Sequence, residues 1–401
     1  MMNILQINSV CGVGSTGRIA TDLHAILEAQ GHRSTVAFGR RNAQNCESTI
    51  RIGGLADSCL HALRTRIFDA HGFGSKKATT ALIAEIEKLN PDVIHLHNLH
   101  GYFLHVGLLF DYLKQARRPV VWTLHDCWAF TGHCAYFDYI DCHRWKSGCH
   151  ACPLQSEYPG SFIFDRSRQN YRIKKQLFTG LSRLTLVTPS RWLKDLLKDS
   201  FLKDYPAVVI NNGVDLTVFK PQPDAFRKKH KLHDKFIILG VASVWNERKG
   251  FGYFLDLAKQ LGPNEQIVMV GLNSQQMRDL PPGMIGIART DSTRELAEIY
   301  SAADVFVNPT LEDNFPTTNL EALACGTPVV TFNSGGSPEC VNEGCGLIVE
   351  RGDLPALVAA ISNVRRIGKI SCTKNCQKHA EDYFDKNHRF NDYIELYKFL
   401  G

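Results

Sequence analysis

Short apolar runs rich in β-branched residues alternate with longer segments of helical spacing along most of the chain. This alternation is typical of βαβ units, and the continuous apolar character of the runs indicates strands buried on both faces of a parallel sheet. The first series of predicted strands covers 3–8, 34–38, 92–97, 120–125 and 184–189, and the second covers 236–242, 266–271, 284–288, 304–309, 328–332 and 346–349. We therefore expect an α/β protein with two parallel sheets.

A polar, turn-rich connection over 211–224 separates the two series, which places the domain junction there. The first domain is predicted over 1–212 and the second over 213–380. The segment 377–401 has the spacing of an amphipathic helix, so 381–401 is predicted to be a C-terminal helix. Its expected apolar face consists of Tyr383, Phe384, Phe390, Tyr393, Leu396 and Tyr397.

The charge balance limits the classes of partner. Across 401 residues, 46 lysines and arginines face 40 acidic residues, for a net charge of +6. This excess is too small for a dedicated nucleic-acid binder, so no nucleic-acid partner is expected. The chain starts without a basic leader and has no apolar stretch near the ~18 residues of a membrane span. We therefore expect a cytoplasmic protein.

A glycine-rich turn follows the first predicted strand, where Gly12, Gly14 and Gly17 spell G-x-G-x-x-G. In dinucleotide-binding enzymes such a turn seats the pyrophosphate, and an acidic residue about 20 positions on binds the ribose. Here the second strand leads instead to Arg40 and Arg41, which disfavours NAD. An NADP-dependent oxidoreductase, with Arg40 near the 2′-phosphate, is one alternative, and a tight strand-to-helix turn is the other.

The stretch 313–328 predicts a loop, a short helix and a stop. Pro316 suits the first turn of a helix, so the backbone N–H groups near Thr317 and Thr318 would form an anion site at the carboxyl edge of the sheet. Glu321 would lie one turn further in, where a carboxylate can accept hydrogen bonds from a ribose diol. Asp313, in the preceding loop, could face a sugar.

These residues resemble the two-carboxylate signature of glycosyltransferase family 4, an acid followed after seven residues by Glu and then Ala-Leu-Ala-Cys-Gly-Thr-Pro-Val-Val. The family usually has Glu at the first position, where this chain has Asp313, and Glu312 is adjacent, so either acid could meet the donor sugar. Further segments follow in the family's order, at 12–17, 123–126, 188–191, 212–215, 248–250, 270–271, 300–309 and 335–339.

The resemblance implies a GT-B fold, with two Rossmann-like domains facing a cleft and a C-terminal helix that crosses back to the first domain. It also implies a retaining, hexosyltransferase-type enzyme that takes its sugar from a nucleoside diphosphate donor. No Asp-x-Asp motif occurs, which argues against a divalent ion on the diphosphate, so no cofactor is expected for catalysis. The implied catalytic residues are His125, Asp313 and Glu321, and the implied donor-binding residues are Gly14, Arg248, Lys249, Phe315, Pro316, Thr317, Thr318 and Glu321.

Arg248 and Lys249 also fit the chemistry without the family. Departure of a nucleoside diphosphate leaves negative charge that cations must stabilise, and both residues follow a predicted strand. The family commonly places its arginine several residues earlier, where this chain has Val244, so Lys249 is the better matched of the two. The alternative is a solvated basic turn.

In the first domain, His125 closes a predicted strand at its carboxyl end, and the resemblance implies that it contacts the donor sugar. A structural histidine is the alternative. The sequence His-Leu-His-Asn-Leu-His at 95–100 could suggest a metal site, but the family match implies that it lines the acceptor side. The implied acceptor-side residues are His97, Asn98 and His100.

An insert over 127–158 lacks helical or strand periodicity and contains four clustered cysteines. Four thiols within 19 residues, with one pair spaced C-x-x-C, form a reasonable pattern for structural zinc, although the outer spacings are not those of a standard finger and Cys127 stands nearby. A buried cluster of reduced thiols and redox disulfides are the alternatives. The candidate ligands are Cys134, Cys142, Cys149 and Cys152.

A similar insert occurs in glycosyltransferases resembling those of colanic acid, which implies exopolysaccharide, capsule or O-antigen assembly on a glycan or polyprenyl-linked acceptor. After it comes a basic segment with helical spacing, which would be a solvated face or would dock on the anionic inner surface of the cytoplasmic membrane. Its cations are Arg166, Arg168, Arg172, Lys174 and Lys175.

Overall fold

The computed structural model describes residues 1–401, which form two compact units. Unit 1 comprises Met1–Asn211 and Phe390–Gly401, and unit 2 comprises Asn212–Arg389. Residues 381–389, which the sequence pattern assigns to the returning helix, therefore lie in unit 2.

Unit 1 is built on a seven-stranded, wholly parallel sheet. Its strands are β1 (Asn3–Val10), β2 (Arg33–Arg40), β3 (Thr49–Arg51), β4 (Val93–Leu96), β5 (Val120–Thr123), β6 (Leu184–Thr188) and β7 (Ala207–Val209), in the spatial order β3-β2-β1-β4-β5-β6-β7. The connecting helices are α1 (Gly14–Ala29), α2 (Leu55–Phe68), α3 (Lys76–Leu89), α4 (Val106–Ala116), α5 (Ser167–Phe178) and α6 (Arg191–Leu197).

The strand order of unit 1 reverses between β1 and β4, where Ile4 pairs with Val93 and Ile7 with Leu96. In doubly wound sheets a crevice opens at this switch point, beyond the carboxyl ends of the strands, and ligands bind there. The loops after β1, β4 and β5 are therefore the ones placed for function.

The sequence pattern did not reveal the two outermost strands of unit 1. Strands β3 and β7 are three residues long, occupy the two edges of the sheet and contain no fully buried residue. A strand that short and that exposed has too little apolar periodicity to be recognised. All other strands lie where the pattern predicts them, within one or two residues of each end.

Unit 2 repeats the architecture with a six-stranded parallel sheet. Its strands are β8 (Phe236–Val241), β9 (Glu265–Val270), β10 (Met284–Ile287), β11 (Val305–Asn308), β12 (Val329–Phe332) and β13 (Gly346–Val349), in the order β10-β9-β8-β11-β12-β13. Its helices are α7 (Ala225–His230), α8 (Phe251–Ala258), α9 (Ser274–Arg278), α10 (Thr293–Ala302), α11 (Thr317–Ala324), α12 (Leu354–Ile367) and α13 (Lys369–Phe384). Its switch point lies between β8 and β11. The prediction of two Rossmann-like parallel-sheet domains is confirmed.

The predicted single tail helix is wrong, because the chain forms α13 and then a separate helix α14 (Lys386–Leu400). The helix breaks at Asp385, where Val214 N–H donates to the carbonyl of Phe384 (2.7 Å) and Lys386 N–H donates to the carbonyl of Val214 (3.1 Å). Gly213 permits this approach, since a Cβ there would lie 2.4 Å from the Cα of Lys386.

The apolar face of the tail is largely buried as predicted, with one correction. Phe384, Phe390, Tyr393 and Tyr397 are each at most 3% exposed, whereas Tyr383 is 57% exposed and is not part of the face. None of the helices in the chain is both long enough and apolar enough to span a membrane.

Candidate active site

The loops that follow β8 and β11 are locked together at the switch point of unit 2. Leu311 N–H donates to the carbonyl of Arg248 at 2.8 Å. Gly250 has φ +77°, and a Cβ at that position would lie 2.1 Å from the carbonyl oxygen of Pro309. The basic pair 248–249 is therefore held against the loop that carries the first acid of the signature.

Lys249 and Asp313 form an ion pair across these two loops, and the Asp313 side chain is 13% exposed. Arg248 Nη1 donates to the carbonyl of Glu312 at 2.6 Å. Burial alone would raise the pKa of Asp313, but Lys249 and then Arg248 outweigh it, so the pKa lies below its usual value. Burial also lowers the pKa of Lys249, a shift that Asp313 opposes. The loop thus presents a carboxylate that is ionised near neutral pH.

Two neighbouring acids were candidates for the donor sugar, and they occupy different environments. Glu312 is fully buried, whereas Asp313 retains contact with solvent. The backbone of Asp313 is fixed by Gly336, whose N–H donates to its carbonyl at 2.9 Å, and by Gly335, which leaves no room for a side chain beside that carbonyl. Of the two acids, Asp313 is the one that a ligand can reach.

Helix α11 begins directly after this loop, as the sequence predicts. Pro316 is its extended N-cap, and the N–H groups of Thr317 and Thr318 lie in the first turn, where helix geometry supplies no acceptor. Glu321 is 4% exposed and its Oε2 accepts a hydrogen bond from the Tyr300 hydroxyl at 3.0 Å. The first turn and Glu321 therefore combine anion-binding donors with an oriented carboxylate.

Phe315 lies in the core of unit 2, in contrast to the donor-binding position expected for it. Its side chain is 3% exposed and its ring packs against Phe384 with centroids 5.8 Å apart. Its carbonyl accepts a hydrogen bond from Asn212 Nδ2 at 3.0 Å. The Phe315 side chain thus anchors the loop to the core of unit 2.

A hydrogen-bond chain at the switch point of unit 1 fixes the tautomer of His125. Gln6 Nε2 donates to the carbonyl of Ala20 at 3.0 Å, so Gln6 Oε1 is the acceptor for His97 Nε2–H at 3.1 Å. His97 Nδ1 must then accept from His125 Nε2–H, also at 3.1 Å. His125 consequently offers Nδ1 as its acceptor nitrogen.

The imidazoles of His97 and His125 in this hydrogen-bond chain are neutral near pH 7. Burial lowers the pKa of His125 to about 4 and lowers that of His97 well below its usual value. His95 shows the same direction for the same reason, and its ring bonds to Thr123 Oγ1 (2.8 Å) and to the Tyr397 hydroxyl (2.6 Å). Neutral rings can act as hydrogen-bonding groups at pH 7 without carrying charge.

His100 belongs to a second polar chain beside the first. Its Nε2 lies 2.8 Å from Asp126 Oδ2 and its Nδ1 lies 3.0 Å from the Tyr158 hydroxyl. A small cavity is lined by residues of both hydrogen-bond chains and by their neighbours, including His97, Asn98, His100 and His125. The structure therefore gathers the predicted acceptor-side residues. Both ring nitrogens of each histidine in the 95–100 segment have protein hydrogen-bond partners.

The glycine-rich turn after β1 is shaped by packing. Gly12 has φ +73°, and a Cβ there would lie 2.1 Å from the carbonyl of Gln44. Gly14 begins α1 with φ +69° and has open space where a side chain would project. Arg40 lies over the ring of Tyr102. No finding supports the NADP-dependent alternative.

The four clustered cysteines line one small cavity together with His133 and His150. Every cysteine of the chain is a free thiol. No group of three or more His, Cys, Asp and Glu side chains is arranged so that it could hold a metal ion.

Lys174 is not part of a basic face, in contrast to the sequence-based expectation. It is 1% exposed, its Nζ donates to the carbonyls of Trp128 (2.8 Å) and Thr131 (3.1 Å), and it lies over the Trp128 ring. Arg168, Arg172 and Lys175 are exposed as expected.

Sequence reasoning missed the residues that orient the site. Gln6 and Tyr300 are fully buried. Gln6 bonds to His97, which in turn bonds to His125, and Tyr300 bonds to Glu321. The one signal for Gln6 is its polarity between the apolar residues Ile4, Leu5 and Ile7 of β1. Tyr300 begins the segment 300–309 that carries the family resemblance, but its spacing does not indicate that its hydroxyl binds Glu321.

Comparisons with known proteins cover both units. The family model described as Glycosyltransferase Family 4 matches residues 16–218, and that described as Glycosyl transferases group 1 matches residues 235–366. WcaC of Escherichia coli (strain K12), named as a glycosyl transferase of colanic acid biosynthesis, is 26% identical over 375 residues, which are 89% of this chain and 89% of WcaC.

A second relative matches over a shorter range. The Escherichia coli protein named UDP-Gal:alpha-D-GlcNAc-diphosphoundecaprenol alpha-1,3-galactosyltransferase is 27% identical over 223 residues, which are 50% of this chain and 56% of that protein. Among solved structures, Anabaena HepE in complex with UDP-glucose superposes with a TM-score of 0.68 at 17% identity, covering 98% of this chain and 100% of HepE. At that identity the likeness shows the fold.

Proposed function

Because this chain belongs to glycosyltransferase family 4, we propose that it transfers a hexose, with retention of configuration, from a nucleoside diphosphate sugar to a lipid-linked glycan of a surface polysaccharide. The observation that carries the proposal is the ion pair of Lys249 and Asp313 beside the first turn of α11 and Glu321. The names of WcaC and the galactosyltransferase, which specify colanic acid and a diphosphoundecaprenol acceptor, support the product class.

Different residues of unit 2 are assigned to different parts of the donor. Lys249 and Arg248 are the cations for the diphosphate, where negative charge grows as the bond to the sugar breaks. The N–H groups of Thr317 and Thr318 add donors for the same charge. Glu321, held by Tyr300, is assigned to the ribose diol.

Asp313 is assigned to the hydroxyl groups of the transferred sugar. A carboxylate engaged by a lysine is a weak nucleophile, so we favour same-face attack, in which the leaving phosphate helps to deprotonate the acceptor hydroxyl. His125, through Nδ1, is assigned to sugar hydroxyls, and His97, Asn98 and His100 to the acceptor. Catalysis is proposed to require no metal ion.

Donor binding is tested by thermal unfolding with UDP, GDP, ADP, CDP and NADP. We expect UDP to stabilise the protein, since the galactosyltransferase and HepE are named with UDP-linked donors. A ligand at 100 times its Kd adds about 2.7 kcal/mol to the free energy of unfolding. The shift should persist in EDTA.

Matched variants locate the effect. Lys249→Met and Glu321→Gln should abolish the UDP shift, whereas Lys259→Met, which removes an exposed lysine paired with Asp256, should keep it. Stabilisation by NADP alone, or a UDP shift retained in both site variants, would contradict the assignment.

The role of Asp313 is tested with an Asp313→Gly variant supplied with azide. If Asp313 orients the sugar, activity falls and azide does not restore turnover. Formation of a glycosyl azide of inverted configuration, detected by NMR, would instead show that Asp313 is a covalent nucleophile.

An exposed apolar surface suggests where the protein meets a lipid-linked acceptor. Phe162, Ile163 and Phe164 are 61%, 63% and 50% exposed, and the ring of Phe164 stacks on Phe68 at the end of α2. The backbone of this loop is fixed, because Phe162 N–H donates to the carbonyl of Arg66 at 2.8 Å. Contiguous apolar exposure of this kind is typical of a protein or membrane contact.

Cations lie on α2, where the Arg66 guanidinium lies over the Phe162 ring, and on α5, which follows this loop in the chain, and these charges favour an anionic bilayer. Arg64 and Arg66 on α2 and Arg168 and Arg172 on α5 are all exposed. Each cation near an anionic surface adds about 1 kcal/mol to binding. We propose that the apolar loop 162–164 inserts at the headgroup level on the cytoplasmic face of the membrane.

Vesicle co-sedimentation tests this proposal. Binding should rise with the fraction of anionic lipid and fall in a variant with serine at 162, 163 and 164, while Ile370→Ser, at a position that is 91% exposed in unit 2, should change nothing. Binding that ignores both the anionic lipid and the triple substitution would refute it.

A further inference from the structure

Among the buried polar atoms of unit 1 that lack a hydrogen bond, one belongs to a residue that lines a cavity with four cysteines. His133 is 2% exposed, and its Nε2 is buried without a hydrogen bond. The residue lines the same small cavity as Cys134, Cys142, Cys149 and Cys152. A buried ring nitrogen left unsatisfied is costly, so its presence beside these sulfurs calls for a ligand.

The other nitrogen of His133 is held by a carboxylate. His133 Nδ1 lies 2.6 Å from Asp69 Oδ1, and both side chains are fully shielded from solvent. Asp69 is itself fixed, since its Oδ2 accepts from Arg166 N–H at 3.0 Å and its carbonyl accepts from Asn170 Nδ2 at 2.7 Å. A carboxylate on the far nitrogen of a histidine is the arrangement that orients metal-bound imidazoles.

The thiols of this cavity lie close to one another. Cys134 and Cys152 are joined by a side-chain hydrogen bond, and Cys149 is within electrostatic range of both and also of Cys142. Cys149 Sγ also accepts the backbone N–H of Gly132 at 3.2 Å. Gly132 allows this contact, because a Cβ there would lie 2.7 Å from the Cβ of Cys149.

A buried lysine lies beside these thiols. Lys174 is 1% exposed and within electrostatic range of Cys134 and Cys149, so in its protonated form it would offset the charge of −1 carried by three thiolates and one Zn²⁺. Its own hydrogen bonds go to carbonyls of the insert. The insert thus combines thiols, an oriented imidazole and a counter-charge.

We propose that Cys134, Cys149, Cys152 and His133 Nε2 bind one Zn²⁺ in a tetrahedral structural centre, with Asp69 supporting His133. Mixed thiolate and imidazole ligands are those that zinc prefers. Because the side chains are not arranged around an ion as they stand, binding draws the sulfurs inward and releases the thiol protons. Cys142 lines the cavity but is left outside this set. The inference is independent of the proposed function.

Metal content of the full-length protein tests the proposal. Purified from zinc-supplemented culture, the wild type should contain one Zn²⁺ per chain by plasma mass spectrometry. Replacement by Co²⁺ should give thiolate-to-cobalt charge transfer and the intense ligand-field bands of a tetrahedral site. A chelator should lower the unfolding temperature and added Zn²⁺ should restore it, which tests the centre even if a cysteine variant does not fold. A wild type without zinc, or without this response, would overturn it.

Variants assign the ligands. Cys149→Ser and His133→Gln should lose tight zinc binding, Asp69→Asn should weaken it by about 10–100-fold, and the matched control Cys142→Ser should keep one zinc with unchanged affinity. Full zinc binding in His133→Gln together with its loss in Cys142→Ser would replace the proposed ligand set by four cysteines and overturn the assignment of His133. A Cys134–Cys152 disulfide in protein purified without reductant, with no metal bound, would also overturn the proposal.

Discussion

Among single residues, Gln6 has an influence that its position in the middle of β1 conceals. Its amide is fully buried and donates to Ala20, which leaves one carbonyl oxygen to orient His97 and, through it, His125. Within the hydrogen-bond chain from Gln6 through His97 to His125, only His125 is partly exposed to solvent. Gln6 is therefore a positioning residue for the ring that faces the sugar in our proposal.

Replacing Gln6 by Leu should reduce kcat while leaving the folded state intact. Without its acceptor, His97 can adopt the other tautomer and His125 no longer presents Nδ1. Loss of the hydrogen bond from the sugar to Nδ1 costs about 0.5–1.5 kcal/mol, or about 2–10-fold in rate. Steady-state kinetics should show the loss in kcat with little change in KM for the donor.

The matched control for Gln6 is Ser34→Ala. Ser34 also bonds to the Gln6 amide, at 3.3 Å, but lies outside the chain to His125. Equal losses in Gln6→Leu and Ser34→Ala would mean that packing around the amide, and not the tautomer, matters.

The sequence predicts the motif residues better than it predicts the buried side chains that hold the surrounding structure. The spacing of Asp313 and Glu321 and the stop after α11 are visible because they follow helix geometry. The burial of Lys174 cannot be predicted, because a lysine looks the same in sequence whether it faces water or two backbone carbonyls. Only the fold shows that the insert closes over it.

Among the elements, α14 is attached to unit 1 by buried hydroxyl groups as well as by apolar packing. The Tyr397 hydroxyl bonds to His95 Nδ1 at 2.6 Å and the Tyr393 hydroxyl to Thr123 Oγ1 at 3.1 Å. Both tyrosines are within a cluster that contains Ile4 and Leu23. The helix thus covers the sheet at its centre.

Tyr397→Phe should destabilise the protein without altering its shape. The substitution keeps the ring but leaves His95 Nδ1 buried without its partner, at a cost of about 1–3 kcal/mol. Chemical denaturation should show a lower midpoint for unfolding. Tyr383→Phe, at a position that is 57% exposed, is the control and should be neutral. Equal stability of the two variants would contradict the role of the hydroxyl.

The limits of prediction for elements have two physical causes. The central strands are buried on both faces and so give continuous apolar runs, whereas the edge strands β3 and β7 depend on one neighbour each and leave no pattern. The break at Asp385 arises from a backbone pairing with Val214, 171 positions earlier, and helical spacing continues across it. Contacts distant in sequence are what local patterns omit.

Across the whole molecule, several buried histidines are held neutral, which should make the protein less stable in mild acid than at neutral pH. Burial lowers the pKa of His61 and of His125 to about 4, while an unfolded chain holds histidine near 6.5. Between these values the unfolded state binds more protons, so the free energy of unfolding rises with pH from about 4 to about 6.5. The unfolding temperature should therefore fall as the pH is lowered from 7 to 5.

Calorimetry over that range, with two variants, checks the cause. His97→Gln removes one buried ring and should flatten the pH dependence, whereas His388→Gln, at an exposed position, should leave it unchanged. An unfolding temperature that is constant between pH 5 and 7 in the wild type would contradict the prediction.

The division of unit 1 between two stretches of chain sets an order of events during synthesis. Residues 390–401 leave the ribosome only after all of unit 2, at about 5–20 residues per second, so the wait is on the order of tens of seconds. Throughout that time the surface formed by Ile4, Leu23 and Leu27 has no cover. Unit 2 can therefore complete its core first. A nascent chain that stalls before residue 390 leaves this apolar surface exposed to chaperones and proteases.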